Sequence, residues 1–312
     1  MFLVCGEALM DVYVRESTAT GLLLDARVGG SPFNVAVGLA RLGQPVRLLS
    51  GLSRDAAGRR LMQALADEGV DTGLVVRTAA PTTLGVVSVD ADGVPSYAFH
   101  NCGTADLALS PEIVPPIPAE VRALQFGSYA MVIEPTGSTL QALAARQREH
   151  RLLAFDPNVR LNVEPDIGRW REVVDRMVRL AHLVKVSDED LGLLDPGRSP
   201  EDVARAWLAL GPEIVVVTRG ATGSEAWTRR THVAVPSQPV DVVDTVGAGD
   251  TFQAALLTWL AEHDALSPQD LGSLGEDRIA AMLRFGARAA SITCSRLGAN
   301  LPRRHELMEA QR

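Results

Sequence analysis

The chain has 312 residues, 46% hydrophobic and 22% charged, enough apolar material to fill the core of one large or two modest domains. Its formal net charge is -8 with no basic block, which disfavours nucleic-acid binding by charge, and no apolar run approaches the roughly 18 residues of a membrane span. Lys185 is the only lysine, so the Gly-Lys-Ser/Thr of a Walker loop and the Val-Ala-Ile-Lys strand of protein kinases are both excluded.

Short β-rich runs alternate with helical periods, which predicts an α/β fold with a mainly parallel central sheet flanked by crossover helices. Phe2 to Cys5 reads as a first strand and not as a signal peptide, because Glu7 follows after only a few apolar residues. Residues 11–28 form a looser stretch with alternation at Val12 and Val14. Gly29-Gly30-Ser31-Pro32 reads as a turn, and residues 34–42 as a helix closed by Gly43. A strand at 46–50 and a helix at 56–68, stopped by Gly69, follow. At 82–101 the rhythm breaks, and two strand-like runs meet at Asp90-Ala91-Asp92-Gly93, the signature of a β-hairpin with an Asp-Gly turn. Residues 12–28 and 82–101 are expected to build a small sheet projecting from the body; the alternative is an edge hairpin of the main sheet. The βα rhythm then resumes with strands at 123–126, 152–155, 183–186 and 214–217, and helices at 136–149, 170–181 and 201–210. A hairpin at 225–235, a helix at 252–260 and a long helix at about 277–295 complete the chain. Cys5, Cys102 and Cys294 are odd in number, far apart and without metal spacing, so they read as free thiols in a reducing cytoplasm.

The stretch Asp244-Thr245-Val246-Gly247-Ala248-Gly249-Asp250-Thr251-Phe252 takes a polar, two-glycine turn straight into an apolar helix. Unpaired N–H groups and partial positive charge at a helix start bind anions. Asp250 is there either as a helix cap or as a base. An anion cradle beside a base suits phosphoryl transfer to a hydroxyl. Ligands of open α/β sheets sit beyond the C-terminal ends of strands. Polar groups recur there: Asp11, then Asp156-Pro157-Asn158-Val159-Arg160, then Ser187 with Asp190, then Thr218 with Gly220 and Gly223. Asp11 is either a sugar-hydroxyl acceptor or a turn residue. Gly29-Gly30 and Asn34 either admit a substrate to a helix start or make an ordinary turn. Arg160 either forks onto a phosphate or carboxylate or forms a surface ion pair. Ser187 and Asp190 either orient water on Mg²⁺ or cap a helix before Leu191. No histidine pair has metal spacing, and no Gly-x-Ser-x-Gly elbow occurs. Gly247-x-Gly249 is followed by Phe252 where a dinucleotide fingerprint needs a third glycine.

Residues 29–43, Gly-Gly-Ser-Pro-Phe-Asn-Val-Ala-Val-Gly-Leu-Ala-Arg-Leu-Gly, resemble the N-terminal signature of the PfkB (ribokinase-like) carbohydrate kinases, and residues 244–250 resemble the C-terminal one. The likeness runs over essentially the full chain, implying one ribokinase-like kinase domain over 1–312, with residues 12–28 and 82–101 as a β lid that closes over sugar and often pairs in homodimers. Residues 155–160 and 184–190 look most like fructokinases, although 2-keto-3-deoxygluconate kinases share much of them. The resemblance implies ATP-dependent phosphorylation of a sugar, fructose to fructose 6-phosphate first. The alternatives are a 2-keto-3-deoxygluconate kinase and, from another class, a non-catalytic sugar-binding regulatory protein. It further implies Asp250 as base, and the backbone N–H groups of Gly247, Ala248, Gly249 and Asp250 as anion hole. Asp11, Gly30, Asn34 and Arg160 are then sugar-site residues. Ser187, Thr218, Gly220, Gly223, Gly286, Ala287 and Ala290 are implied to line the ATP site. Ser187 and Asp190 stand where the family often has an Asn-x-x-Glu pair, so Asp190 is expected to meet Mg²⁺ through water. Asp244 is the implied ligand of a monovalent cation such as K⁺.

Overall fold

The computed structural model describes residues 1–89 and 95–309, so the Asp-Gly turn expected at 90–93 lies outside the described residues. In chain order the strands and helices begin β1 (Phe2–Cys5), β2 (Leu9–Ser17), β3 (Leu22–Gly29), α1 (Ser31–Arg41), β4 (Val46–Leu49), β5 (Gly51–Ser53), α2 (Ala56–Asp67), β6 (Val76–Thr78), β7 (Leu84–Val89) and β8 (Pro95–His100). They continue with β9 (Ala123–Gly127), α3 (Thr136–Gln147), β10 (Leu152–Asp156), α4 (Ile167–Leu180), β11 (Leu183–Ser187), α5 (Asp188–Leu194), α6 (Pro200–Leu208) and β12 (Ile214–Thr218). The last are β13 (Ser224–Trp227), β14 (His232–Val235), α7 (Ala248–Glu262), α8 (Pro268–Gly272), α9 (Glu276–Cys294) and α10 (Arg304–Glu309).

The main sheet has the strand order β14-β13-β12-β11-β10-β9-β1-β4. From β4 to β12 the neighbours run parallel, and β13 and β14 are added antiparallel at one edge, where the second hairpin was expected. Alternate residues of a strand face opposite sides, and parallel sheets are covered on both. Accordingly Phe2 and Val4 join one apolar cluster with α1, α7 and α9, whereas Leu3 and Cys5 join a second with α3, α4 and α6. Among the described residues no helix is long and apolar enough to cross a membrane.

The looser stretch after β1 is a regular antiparallel hairpin, β2 with β3, broken only by an irregularity between Val14 and Glu16. It joins β7 and β8 in a separate four-stranded sheet of order β3-β2-β7-β8, in which β2 and β7 run parallel. The small second sheet was therefore legible, with β2 starting three residues before the expected boundary. Two local expectations are corrected. Gly29 ends β3, and Ser31-Pro32 begins α1 instead of closing a turn, because proline needs no N–H donor in the first turn of a helix. The helix after the two-glycine stretch starts at Ala248 and not at Phe252, since Gly247, with φ 79°, makes the sharp entry itself.

Candidate active site

The start of α7 lies against the start of α1, and the two are joined through Asp250. Its Oδ1 accepts a hydrogen bond from Ser31 Oγ at 2.6 Å, and its Oδ2 one from Asn34 Nδ2 at 2.8 Å. Asp250 is thus not a cap for its own helix: the N-cap is Gly247, with no side-chain bond. The carboxylate is buried, which raises its pKa, while Ser31, Asn34 and the Lys185 charge pull it back and Asp156 adds to the rise. Ala248 donates its amide to Thr245 O at 3.2 Å, so one of the four amides expected to form an anion hole already has a partner within the turn.

Asp11 is a strand residue in β2, not a turn residue. It is opposite Arg27 on β3 and Gly85 on β7. A Cβ on Gly29 would fall 2.2 Å from Asp11 Oδ2, and one on Gly85 would fall 3.2 Å from Oδ1. Two glycines therefore leave the room that this carboxylate occupies. Burial and the nearby Asp250 push Asp11 up to about 6, and Arg160 opposes the shift. Asp250 and Arg160 are thus both within electrostatic reach of Asp11. Gly30, with φ 103°, packs against the backbone of Glu7 and Ala8. A cleft of 180 Å³ opens between the small sheet and the last loop, lined by Asp11, Tyr13, Arg27, Val246 and Asn300 among others.

Beneath the anion loop lies a buried ion pair that sequence reasoning missed. Lys185 Nζ donates to Asp156 Oδ2 at 2.7 Å, with side-chain exposures of 5% and 4%. A Cβ on Gly249 would sit 3.1 Å from Lys185 Nζ, so the ammonium faces the loop. The signal was available: the single lysine of the chain stands in an apolar strand, directly after an Asp-bearing one. Ser31, the other missed residue, lies one helical turn before Asn34 and so shares its face.

Ser187 is the N-cap of α5, receiving the Asp190 amide at 3.0 Å, as its structural alternative required. Asp190 is nonetheless drawn into the site. Its Oδ1 accepts the Val159 amide at 3.1 Å, and burial and Asp156 push it up to about 6 against Arg160 and Lys185. Arg160 reaches back to Val159 O at 2.9 Å and is otherwise exposed. Asp244 accepts the Gly298 amide at 2.8 Å and the Val246 amide at 3.1 Å, tying the last loop to the anion loop. Thr218 ends β12, Gly220 lies in a short 3₁₀ turn and Gly223 has φ 120°. Gly286 faces α7, where a Cβ would sit 2.9 Å from the Phe252 ring, so this glycine serves close helix packing; Ala287 is buried beside it and Ala290 is half-buried. Among the described residues, no three His, Cys, Asp or Glu side chains form a metal-holding group. The donors fit an oxygen-loving ion carried mainly by phosphate and water: the Asp190 carboxylate, and Asp156 Oδ1, which is buried without a hydrogen-bond partner.

Residues 1–306 match the model of the pfkB family carbohydrate kinases. A fructokinase of Rhizobium leguminosarum bv. trifolii is 35% identical over 279 residues, covering 89% of this chain and 85% of the relative. A fructokinase of Xylella fastidiosa with bound ATP superimposes with a TM-score of 0.90 at 26% identity, covering 99% of this chain and 97% of that one. A double mutant of a Vibrio cholerae fructokinase, bound to fructose, ADP and potassium ion, gives 0.83 at 27% identity, with coverage of 99% and 97%.

Proposed function

The chain belongs to the pfkB family of carbohydrate kinases, and from that premise we propose that it transfers the terminal phosphoryl group of ATP to a hydroxyl of fructose, giving fructose 6-phosphate. The observation that carries the reading is the Asp250 carboxylate, held by Ser31 and Asn34 at the mouth of a helix start. The sugar hydroxyl gives its proton to Asp250 as its oxygen bonds the phosphorus, and the bond to ADP breaks. The helix-start amides and Lys185 offset the charge that spreads over the transferring phosphoryl oxygens. Mg²⁺ would neutralise the polyphosphate when bound, with Asp190 and Asp156 meeting its water shell. Asp244 would serve a potassium ion beside the anion hole. Thr218, Gly220, Gly223 and Ala290 would line the nucleotide. Asp11, Gly30, Asn34 and Arg160 would hold the sugar beneath the four-stranded sheet acting as a lid over one kinase domain, which excludes water and suppresses idle ATP hydrolysis. Reliance on ATP, with Cys5, Cys102 and Cys294 all free, supports work in the cytoplasm.

One observation favours a second substrate. Arg27 lines the cleft with Asp11, and a cation there is what the carboxylate of 2-keto-3-deoxygluconate would want. ADP release measured with both sugars separates the two: turnover of fructose alone supports the first reading, and turnover of the keto acid alone replaces it. No sugar-dependent ADP release at all, together with tight sugar binding, would instead indicate a regulatory binding protein.

We also propose a homodimer formed through the lid. Leu22, Leu23 and Leu24 on its edge strand β3 are 57%, 56% and 50% exposed, an apolar edge that calls for a cover. Sedimentation should show a dimer, reduced to monomer when all three are changed to serine; monomers alone at working concentration would refute this.

A further inference from the structure

The segments that join the lid sheet to the body converge on one buried polar cluster. Glu7 precedes β2, Gly30 follows β3, Thr83 precedes β7, and Thr104 and Asp106 follow β8. Asp106 is 1% exposed; its Oδ1 lies 2.6 Å from the Thr83 hydroxyl, and its Oδ2 accepts the Tyr129 hydroxyl at 2.8 Å. Thr83 Oγ1 is also 2.7 Å from Thr104 Oγ1, and Thr104 donates to Asn101 O at 3.1 Å. Backbone bonds tighten the same point: Met10 to Thr83 O at 3.0 Å, and Ala105 to Pro81 O at 2.9 Å. Glu7 is 1% exposed, and its Oε2 has no hydrogen-bond partner. The Glu7 carbonyl oxygen would be 3.0 Å from a Cβ on Gly30. Gly30 leads directly into Ser31 and Asn34, the two residues that hold Asp250.

We propose that Glu7 and Asp106 are positioning residues: the buried acid pair is the hinge pin on which the four roots of the lid are fixed relative to the helix start that carries Asp250. The consequence for catalysis rests on the kinase reading, whereas the fixing of the lid does not. Ser128, Asp106 and the Ala130 backbone face Glu7, and Tyr129 feels both acids. Burial raises both acids, but the Thr83 and Tyr129 hydroxyls oppose the rise at Asp106, whereas Glu7 has an oxygen without a donor and suits the neutral form better. Burial pushes Glu7 up to about 8. Ionising Glu7 places a second buried negative charge beside Asp106, so the roots loosen progressively as the pH rises from the ordinary glutamate value and are fully loosened above about 8.

Hydrogen exchange on the whole protein at about pH 6.5 and about pH 9 tests this, with strands β10 to β12 as the internal reference. In the wild type, the protection of β2, β3 and β7 should fall about tenfold relative to the body at the higher pH, a change on the scale of one lost buried hydrogen bond. Glu7→Gln, uncharged at both values, should keep its protection. Equal loosening in the wild type and Glu7→Gln overturns the proposal. Thr83→Val, which keeps the shape but removes the hydroxyl, should loosen the lid at both pH values, and an unchanged lid overturns the proposal independently. In kinetics, Glu7→Ala should raise the sugar KM more than it lowers kcat, with Glu7→Gln restoring both. A protein that phosphorylates no sugar but shows the pH-dependent protection removes the kinase reading and leaves the hinge standing.

Discussion

As the proposed base Asp250 must be charged for chemistry, yet its burial costs stability, and the two demands separate experimentally. Asp250→Asn should lower kcat by about 10²–10⁴, the usual range for a lost general base. Near-normal turnover would remove it as the base. The same substitution should raise the melting temperature at neutral pH by roughly 1–4 °C, since no buried charge remains, while the new amide donates to Ser31 Oγ and accepts from Asn34. The sign follows from the raised carboxyl: the native state disfavours the charged form, so the penalty is absent below the unfolded value and complete above the folded one. The gain should therefore vanish as the pH falls towards about 4, where the carboxylate protonates in the unfolded chain too. Activity runs the other way. Asp11 and Asp190 are both pushed up to about 6, and Asp250 is raised with them, so kcat/KM should fall as the pH drops through about 6. A single acid limb near about 4, the ordinary carboxylate value, would show that burial does not govern these groups. Lys185 makes a third case. Lys185→Met strands Asp156 as a buried lone charge and should cost about 3–5 kcal/mol. Adding Asp156→Asn should recover much of that stability in denaturant melts without restoring phosphorylation. Recovery of both would assign Lys185 to structure alone.

At the scale of elements, the site depends on two helix starts meeting. Gly247 makes one of them possible: its φ is 79°, and a Cβ there would lie 2.7 Å from the Ala299 Cβ. Gly247→Ala should therefore displace the anion loop from the last loop, costing about 1–2 kcal/mol in backbone strain and lowering kcat with only modest change in sugar binding. A full-rate variant would show that the loop tolerates the shift. The same elements show what a sequence discloses. The βα rhythm and the break at 82–101 come from hydrophobic period, which each segment carries locally, and both were readable. Asp250 stood out as a carboxylate beside a two-glycine turn, whereas Asp11, expected beyond the end of β1, lies inside β2, and Asn34 lies inside α1. Ser31 was hidden by a Gly-Gly-Ser-Pro string that reads as a turn, although proline also suits a helix start. Lys185 was hidden because its partner, Asp156, is on the neighbouring strand, 29 residues away, and register is a tertiary property.

Across the whole molecule, distant parts of the chain share the work. The N-terminal signature supplies Ser31 and Asn34, the middle supplies Asp156, Lys185 and Asp190, and the last quarter supplies Asp250 and the loop that Asp244 anchors. Gly38 records how closely α1 and α7 are packed, since a Cβ there would be 2.8 Å from the Ala254 Cβ. Ser31 and Asn34 are separated from Asp250 by 219 and 216 positions. During synthesis at about 5–20 residues per second, α1 then waits roughly 10–40 s before its partner helix leaves the ribosome. Through that interval the face of α1 around Gly38, which meets Ala254 in the finished protein, lacks the surface that covers it. The nascent chain is thus most exposed to aggregation and to chaperone capture over its first helix, and slowing translation near codon 250 should lower the soluble yield more than slowing it near codon 30.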